Sequence, residues 1–190
     1  MSMTGFDRAL GFVLKEEGGY ANVTGDRGGE TYKGIARNSN PNWSGWIKIN
    51  ALKTSGITNP QELTNILNVD NELQTAVADL YKSKYWIPIH GDDLPWPVDC
   101  SVFDCSVNSG PHEAIKLLQN ALTIIADGII GSATLTEVAK WVPSNLVGKY
   151  IAIRKQFYQT IVNNDESQAR FLIGWLSRLD NLSKFISETV

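Results

Sequence analysis

The spacing of hydrophobic residues predicts a chain built mostly of helices. Phe6, Leu10 and Val13 recur at steps of four and three residues, which predicts an amphipathic helix over residues 4–17. Glu17 is the next position on this apolar stripe, and the two glycines that follow it end the helix. The first element therefore places a carboxylate at its C-terminal end, in line with its apolar face.

The helical pattern then stops and later resumes. Residues 18–58 are rich in Gly, Asn, Ser and Thr and show no long helical period, although a short hairpin around Thr31–Ile35 fits the sequence. Asn59 and Pro60 form a helix start. Helices are predicted from there to about residue 85 and then over residues 99–108, from Pro111 onward, and over 132–141, 144–163 and 166–188. The predicted fold class is mainly α, with a small irregular or β-hairpin segment near residues 20–40.

A Pro- and Trp-rich connection over residues 86–98 is the best candidate for a boundary inside the chain. A chain of 190 residues is long enough for one domain or for two small ones. We expect a first region over residues 1–95 and a second, helical region over residues 96–190, packed together as one unit.

Composition excludes several classes of function. A net charge of −3 gives no support for nucleic-acid binding. The sequence contains no run of 18 apolar residues, so it predicts no membrane-spanning helix. The N-terminus lacks the basic and apolar regions of a signal peptide, so we expect synthesis in the cytoplasm. Cys100 and Cys105 are expected to be buried free thiols. No spacing of zinc ligands occurs, and we expect no cofactor.

Glu17 is the strongest candidate for a catalytic residue. A carboxylate at a helix C-terminus faces the negative end of the helix dipole, and an apolar surrounding also disfavours its charge. Both effects favour a carboxyl group that keeps its proton and can donate it to a leaving group. The competing interpretation is a solvated glutamate at a frayed helix end.

Two further polar residues follow within the same glycine-rich stretch. Asp26 lies in a turn-like setting that keeps a carboxylate ionised, and Thr31 offers a hydroxyl that can hold a water molecule. Their plainer interpretations are an ordinary turn aspartate and a strand threonine. Together with Glu17 they supply an acid and an ionised partner, which is the set that hydrolysis of a glycosidic bond requires.

Aromatic residues cluster in or near the irregular part of the chain, where they can either stack on sugar rings or fill the core. Tyr20 and Trp46 are the two that we expect to face outward and to bind substrate.

The motifs resemble those of a known family. Glu17-Gly-Gly-Tyr followed by Asp26-x-Gly-Gly-x-Thr31-x-x-Gly-Ile is similar to the signature of glycoside hydrolase family 108 lysozymes, which are N-acetylmuramidases of phages and bacteria, some described as secretion activators. Phe103-Asp-Cys-Ser-Val-Asn108-Ser-Gly-Pro and Asp127-Gly-Ile-Ile-Gly are similar to the peptidoglycan-binding domain that usually follows. Phe171-Leu-x-Gly-Trp-Leu-x-Arg extends the likeness, so that it covers about residues 5–180.

This resemblance implies a lysozyme-like helical fold and an endolysin-like muramidase, with Glu17 as the general acid, Asp26 as its partner and Thr31 assisting. Thr31 comes one residue sooner than in other phage-type lysozymes. Asn108 is expected to face the cleft. The implied partner is the peptidoglycan glycan strand, bound by a monomer that acts on the cell wall after release or export, without membrane insertion. The alternatives are a non-catalytic peptidoglycan-binding or secretion-accessory protein and a lytic transglycosylase.

Overall fold

A computed structural model of the chain describes residues 3–22 and 29–189. These residues form nine α-helices and one small antiparallel sheet, which confirms the prediction of a mainly α, lysozyme-like fold with a small β segment between residues 20 and 40. The helices are α1 (Gly5–Glu16), α2 (Gly45–Thr54), α3 (Pro60–Asn68), α4 (Asn71–Tyr81), α5 (Val98–Ser109), α6 (Pro111–Leu122), α7 (Ser132–Val138), α8 (Pro143–Asn164) and α9 (Ala169–Thr189). Short 3-10 or π turns cover Lys82–Trp86, Ile87–Ile89, Gly91–Asp93 and Glu166–Gln168.

The chain divides into two compact units. The small unit is Val13–Lys82, and the large unit is Met1–Phe12 together with Ser83–Val190. Helix α1 therefore begins in the large unit and ends in the small one. The boundary that we expect near residue 95 stays a prediction.

The small unit contains the sheet, whose strands are β1 (Tyr20–Ala21), β2 (Thr31–Tyr32) and β3 (Ile35–Ala36), paired in that order. Opposite Tyr32 lie Tyr20 on one side and Ile35 on the other, and all three side chains are buried. Lys33 and Gly34 connect β2 to β3 with φ angles of +45° and +72°. Two successive left-handed residues are typical of the tight turn that matches the twist of a hairpin. The predicted hairpin is thus confirmed.

Helix α2 lies within residues 18–58, in which the sequence shows no long helical period. Trp46 and Ile49 of this helix are buried, whereas Ile47 between them is 76% exposed. Its apolar residues therefore do not follow a single stripe, and the periodicity that reveals other helices is missing here.

Helices α3 and α4 complete the small unit. The Asn59 side chain accepts hydrogen bonds from the backbone N–H groups of Gln61 and Glu62, with Pro60 as the first residue of α3, which confirms the predicted helix start. The buried positions recur at steps of four residues within each helix and are Leu63, Leu67, Leu73, Val77 and Tyr81.

Helix α5 is the centre of the large unit, and every side chain from Val98 to Ser106 is buried. Because a helix buried on all sides cannot avoid burying its polar positions, Asp104 lies fully inside the protein. Its carboxylate accepts hydrogen bonds from Arg154 Nη1 at 2.8 Å and from Arg178 Nε at 2.7 Å. Cys100 and Cys105 are buried free thiols of the same helix, as predicted.

Candidate active site

The structure places Glu17 directly after α1, as the sequence predicts. Its backbone N–H still donates to the Val13 carbonyl oxygen at 3.2 Å, so the residue continues the helical hydrogen-bonding pattern. Gly18 follows with a φ of +74°, a left-handed conformation that glycine adopts without strain. The backbone therefore leaves the helical path at Gly18, and the Glu17 side chain lies half-buried in the small unit.

The next two residues fasten the turn to the rest of the small unit. A Cβ atom on Gly19 would lie 2.6 Å from side-chain atoms of Thr64, so only glycine fits against α3 there. The Tyr20 backbone N–H donates to the Thr64 hydroxyl at 2.9 Å, and the Tyr20 hydroxyl donates to Glu30 at 2.6 Å. These contacts fix the backbone immediately after Glu17.

Glu30 is a buried carboxylate that no pattern in the sequence indicates. Besides Tyr20, it accepts hydrogen bonds from Arg37 at 2.5 Å and from Lys53 of α2 at 2.8 Å. Burial acts to raise its pKa, but the bonds from Lys53, Tyr20 and Arg37 outweigh burial and lower it. Burial, with the bond to Glu30, raises the pKa of Tyr20 well above its usual range. Glu30 is therefore an ionised anchor that ties Tyr20 and α2 to the sheet.

The side chain of Glu17 packs against the hairpin turn between β2 and β3. A Cβ atom built on Gly34 would lie 2.6 Å from Oε2 of Glu17 and 2.8 Å from the hydroxyl of Tyr81. Real Cβ atoms essentially never approach other atoms that closely. Gly34 thus has two reasons to be glycine: its φ of +72° and the space that the carboxylate and the hydroxyl occupy.

Helix α4 also holds this turn in place. The Tyr81 hydroxyl donates to the Lys33 carbonyl oxygen at 2.7 Å, and Lys33 Nζ donates to Gln74 Oε1 at 2.6 Å. The Lys33 backbone N–H donates to the Gly19 carbonyl oxygen at 3.2 Å. Burial lowers the pKa of Lys33. The turn is therefore bonded both to α4 and to the segment that follows Glu17.

Thr31 lies in β2, where it pairs with Ala21 and Ala36. Since side chains alternate along a strand, its hydroxyl is on the face opposite the buried Tyr32. Asp26 lies outside the described residues. The roles expected for Thr31 and Asp26 in catalysis stay predictions.

The expectation that Tyr20 and Trp46 face outward is wrong, because their side chains are only 7% and 3% exposed. Each polar group has an internal partner: the Tyr20 hydroxyl binds Glu30, and Trp46 Nε1 donates to the Asn40 carbonyl oxygen at 2.7 Å. The Arg37 guanidinium also lies over the Trp46 ring, 4.1 Å from its centroid. Both aromatic residues are thus parts of the framework around the site.

Asn108 is on α5, in the large unit, and is bonded to the buried charges there. Its side-chain oxygen accepts a hydrogen bond from the Tyr158 hydroxyl at 2.9 Å, and that hydroxyl accepts one from Arg154 Nη2 at 2.8 Å. Asn108 is half-buried, so its amide group extends the charge network of Asp104 toward the surface of this unit.

Within residues 3–22 and 29–189, no group of three or more His, Cys, Asp or Glu side chains is arranged to hold a metal ion. None of the helices in these ranges is both long and apolar enough to cross a membrane. The candidate catalytic group of the small unit is the carboxyl group of Glu17, and the backbone beside it is held by the contacts of Gly19, Tyr20 and Gly34.

Two sequence models of known families match consecutive parts of the chain. The chain belongs to the glycosyl hydrolase 108 family, whose sequence model matches residues 10–110. The model described as a predicted peptidoglycan domain matches residues 113–180. The two matches, in this order, confirm the resemblance seen in the motifs. Together with the fold, they define a glycoside hydrolase with an attached peptidoglycan domain, that is, a peptidoglycan hydrolase.

Among solved structures, the chain is similar to SagA of Brucella abortus, with 27% sequence identity and a TM-score of 0.67. The likeness covers 96% of this chain and 94% of the SagA chain. A comparison with curated proteins finds no match.

Proposed function

We propose that the protein is a lysozyme, an N-acetylmuramidase that cleaves the β-1,4 bond between N-acetylmuramic acid and N-acetylglucosamine. Glu17 is the general acid. The observation that carries this proposal is the packing of the Glu17 carboxylate against Gly34, in a turn whose Lys33 carbonyl oxygen accepts a hydrogen bond from the Tyr81 hydroxyl. A carboxyl group braced in this way is positioned for proton transfer before substrate arrives.

In this mechanism, Glu17 donates its proton to the glycosidic oxygen as the bond to the sugar C1 atom breaks. The departing sugar takes that proton, and positive charge develops on the ring that stays. Asp26 stabilises this charge or directs the attacking water, and Thr31 assists in holding the water. Water adds a hydroxyl group to C1, and its remaining proton returns to a carboxylate of the pair.

Asn108 is proposed as a substrate-binding residue, because it is half-buried and the Tyr158 hydroxyl fixes its side-chain oxygen. We do not propose stacking of sugar rings on Tyr20 or Trp46, since both rings are buried. The protein acts on the cell wall as a monomer, in the manner of an endolysin.

The test is the variant Glu17→Gln, which keeps the size of the side chain but removes the transferable proton. We expect release of reducing sugars from purified cell walls to fall by about 10²–10⁴-fold, the usual contribution of a general acid. Glu16→Gln, next to it on α1, is the matched control and should keep full activity. Circular dichroism should show the same helix content in all three proteins.

Three outcomes would count against the proposal. An active Glu17→Gln variant would remove Glu17 from the mechanism. Products that end in 1,6-anhydro sugars, detected by mass spectrometry, would identify a lytic transglycosylase instead. A parent protein that binds cell walls but releases no sugar would identify a non-catalytic binding or secretion-accessory protein.

A further inference from the structure

A groove in the large unit lies within the region that matches the peptidoglycan domain. It has a volume of about 1010 Å³ and runs between the end of α6, the loop that follows it, and α7. Six of its lining residues carry the argument: Thr123, Ile125, Asp127, Ser132, Ala133 and Thr136. They combine hydroxyl groups, a carboxylate and apolar side chains on one concave surface.

One buried residue fixes the floor of this groove. The amide group of Gln119, which is 2% exposed, donates to Asp127 Oδ1 at 2.7 Å and to the Ile129 carbonyl oxygen at 3.0 Å. Its oxygen accepts a hydrogen bond from the Gly128 backbone N–H at 2.8 Å. A loop braced by a fully engaged buried amide is ordered before it binds, which reduces the entropy lost on binding.

Gly128 adds a second constraint to the same loop. Its φ is +76°, and a Cβ atom there would lie within 2.1 Å of the His112 ring. The loop therefore packs closely on the start of α6. The hydrogen bonds from Gln119 and the Ile129 backbone N–H lower the pKa of Asp127, so the groove carries an ionised carboxylate.

The rim of the groove exposes apolar surface. Ile125 is 87% exposed, and Ala133 lies on the exposed part of α7. No aromatic side chain lines the groove among the residues that the structure describes. Sugar rings bind proteins largely by stacking on aromatic rings, whereas the methyl groups and amides of a short peptide suit small apolar side chains, hydroxyls and a carboxylate.

From these contacts we propose that the groove between α6 and α7 binds the peptide stem of peptidoglycan, rather than its glycan strand. The proposal rests on peptidoglycan as the substrate of the proposed function. The Thr123, Ser132 and Thr136 hydroxyls bond the amides of the stem, Asp127 accepts from a donor group, and Ile125 covers an alanine methyl group.

The experiment measures binding without cleavage. Two variants, Ile125→Asp and Ile173→Asp, are therefore each made in the Glu17→Gln background. Ile125→Asp replaces the exposed apolar side chain of the rim with a charge beside Asp127. Ile173→Asp in α9, at a position that is 81% exposed and outside the groove, is the matched control. Binding is measured by co-sedimentation with purified cell walls and with glycan strands from which an amidase has removed the peptides.

We expect Ile125→Asp to weaken binding to intact cell walls by about tenfold, the effect of losing one buried aliphatic side chain. Binding to peptide-free glycan strands should be the same for Ile125→Asp and the background protein. Ile173→Asp should match the background protein on both ligands. These results would not depend on whether Glu17 is the acid.

Unchanged binding of Ile125→Asp to intact walls would overturn the proposal, and so would an equal loss on both ligands, which would indicate a glycan site. Thr136→Arg, on the other wall of the groove, provides a second variant should Ile125→Asp fail to fold. If Glu17→Gln loses cell-wall activity while the groove variants bind as the background protein does, the peptide site is rejected and the proposed lysozyme function is kept.

Discussion

Gly34→Ala tests whether the hairpin turn positions the catalytic carboxylate. The added Cβ atom would lie 2.6 Å from Oε2 of Glu17 and 2.8 Å from the Tyr81 hydroxyl. Contacts below 3.0 Å force a movement, and even contacts of 3.0–3.4 Å are tight. The carboxylate must therefore retreat by about 0.4–0.8 Å, the difference between 2.6 Å and these limits.

Two costs follow from this change, and they act on different properties. Alanine at a φ of +72° is strained by about 1–2 kcal/mol, which lowers the free energy of unfolding. The clash itself is relieved by a shift of the carboxylate, which is the far end of a flexible side chain. Its displacement is costly for catalysis, since a misplacement of about 1 Å can reduce a rate about 10²-fold. We expect kcat to fall by about 10–100-fold, with KM little changed.

Gly56→Ala is the matched control for the backbone strain. Gly56 also has a positive φ, +98°, but a Cβ atom there meets nothing within 4 Å. Both variants should therefore lose a similar amount of stability in urea denaturation, whereas only Gly34→Ala should lose sugar release from cell walls. Equal sugar release by the two variants would refute the positioning of Glu17 by this turn. A loss of sugar release in Gly34→Ala that is fully explained by its unfolded fraction would refute it too.

Two predictions concern buried acids of the large unit. Burial raises the pKa of Asp99 to about 6, above its unfolded value of about 3.9. The folded state therefore binds the proton more tightly than the unfolded state, so it is stabilised as the pH falls from 7 to 4 and loses that stabilisation as the pH rises through 6. Asp99→Asn should raise the free energy of unfolding at pH 8 by about 1–3 kcal/mol and not at pH 4, and an equal change at both pH values would contradict this cause. Asp104→Asn leaves the buried Arg154 without its anion and should cost about 3–5 kcal/mol in urea denaturation. Asp180→Asn, in an exposed ion pair, should cost less than about 1 kcal/mol, and a similar loss in both would count against a special role for the buried pair.

A sequence pattern predicts the start of a helix when the residues that determine it are close together in the chain. Helix α6 begins at Pro111, and α3 begins after its Asn59 cap, as predicted, because capping and proline geometry act within one helical turn. The sequence pattern does not reveal α2, because its burial depends on neighbours distant in the chain and its own residues show no stripe. Only the tertiary packing determines which side of α2 is inside.

The same distinction explains the candidate site. Glu17 could be predicted, since its position follows from the stripe of α1 and the glycines after it. The role of Glu30 could not, because its partners Arg37 and Lys53 lie 7 and 23 residues away. The burial of Tyr20 and Trp46 depends likewise on internal acceptors that no periodicity identifies.

The four residues of the Glu-Gly-Gly-Tyr motif divide into three that shape the backbone and one that the backbone presents. Gly18 supplies a left-handed turn, Gly19 leaves room for Thr64, and Tyr20 bonds the buried Glu30. The carboxylate of Glu17 lies against Gly34 of the hairpin turn. The Cβ atom of any other residue at 34 would occupy the space of this carboxylate, so glycine keeps that space open in addition to allowing the positive φ.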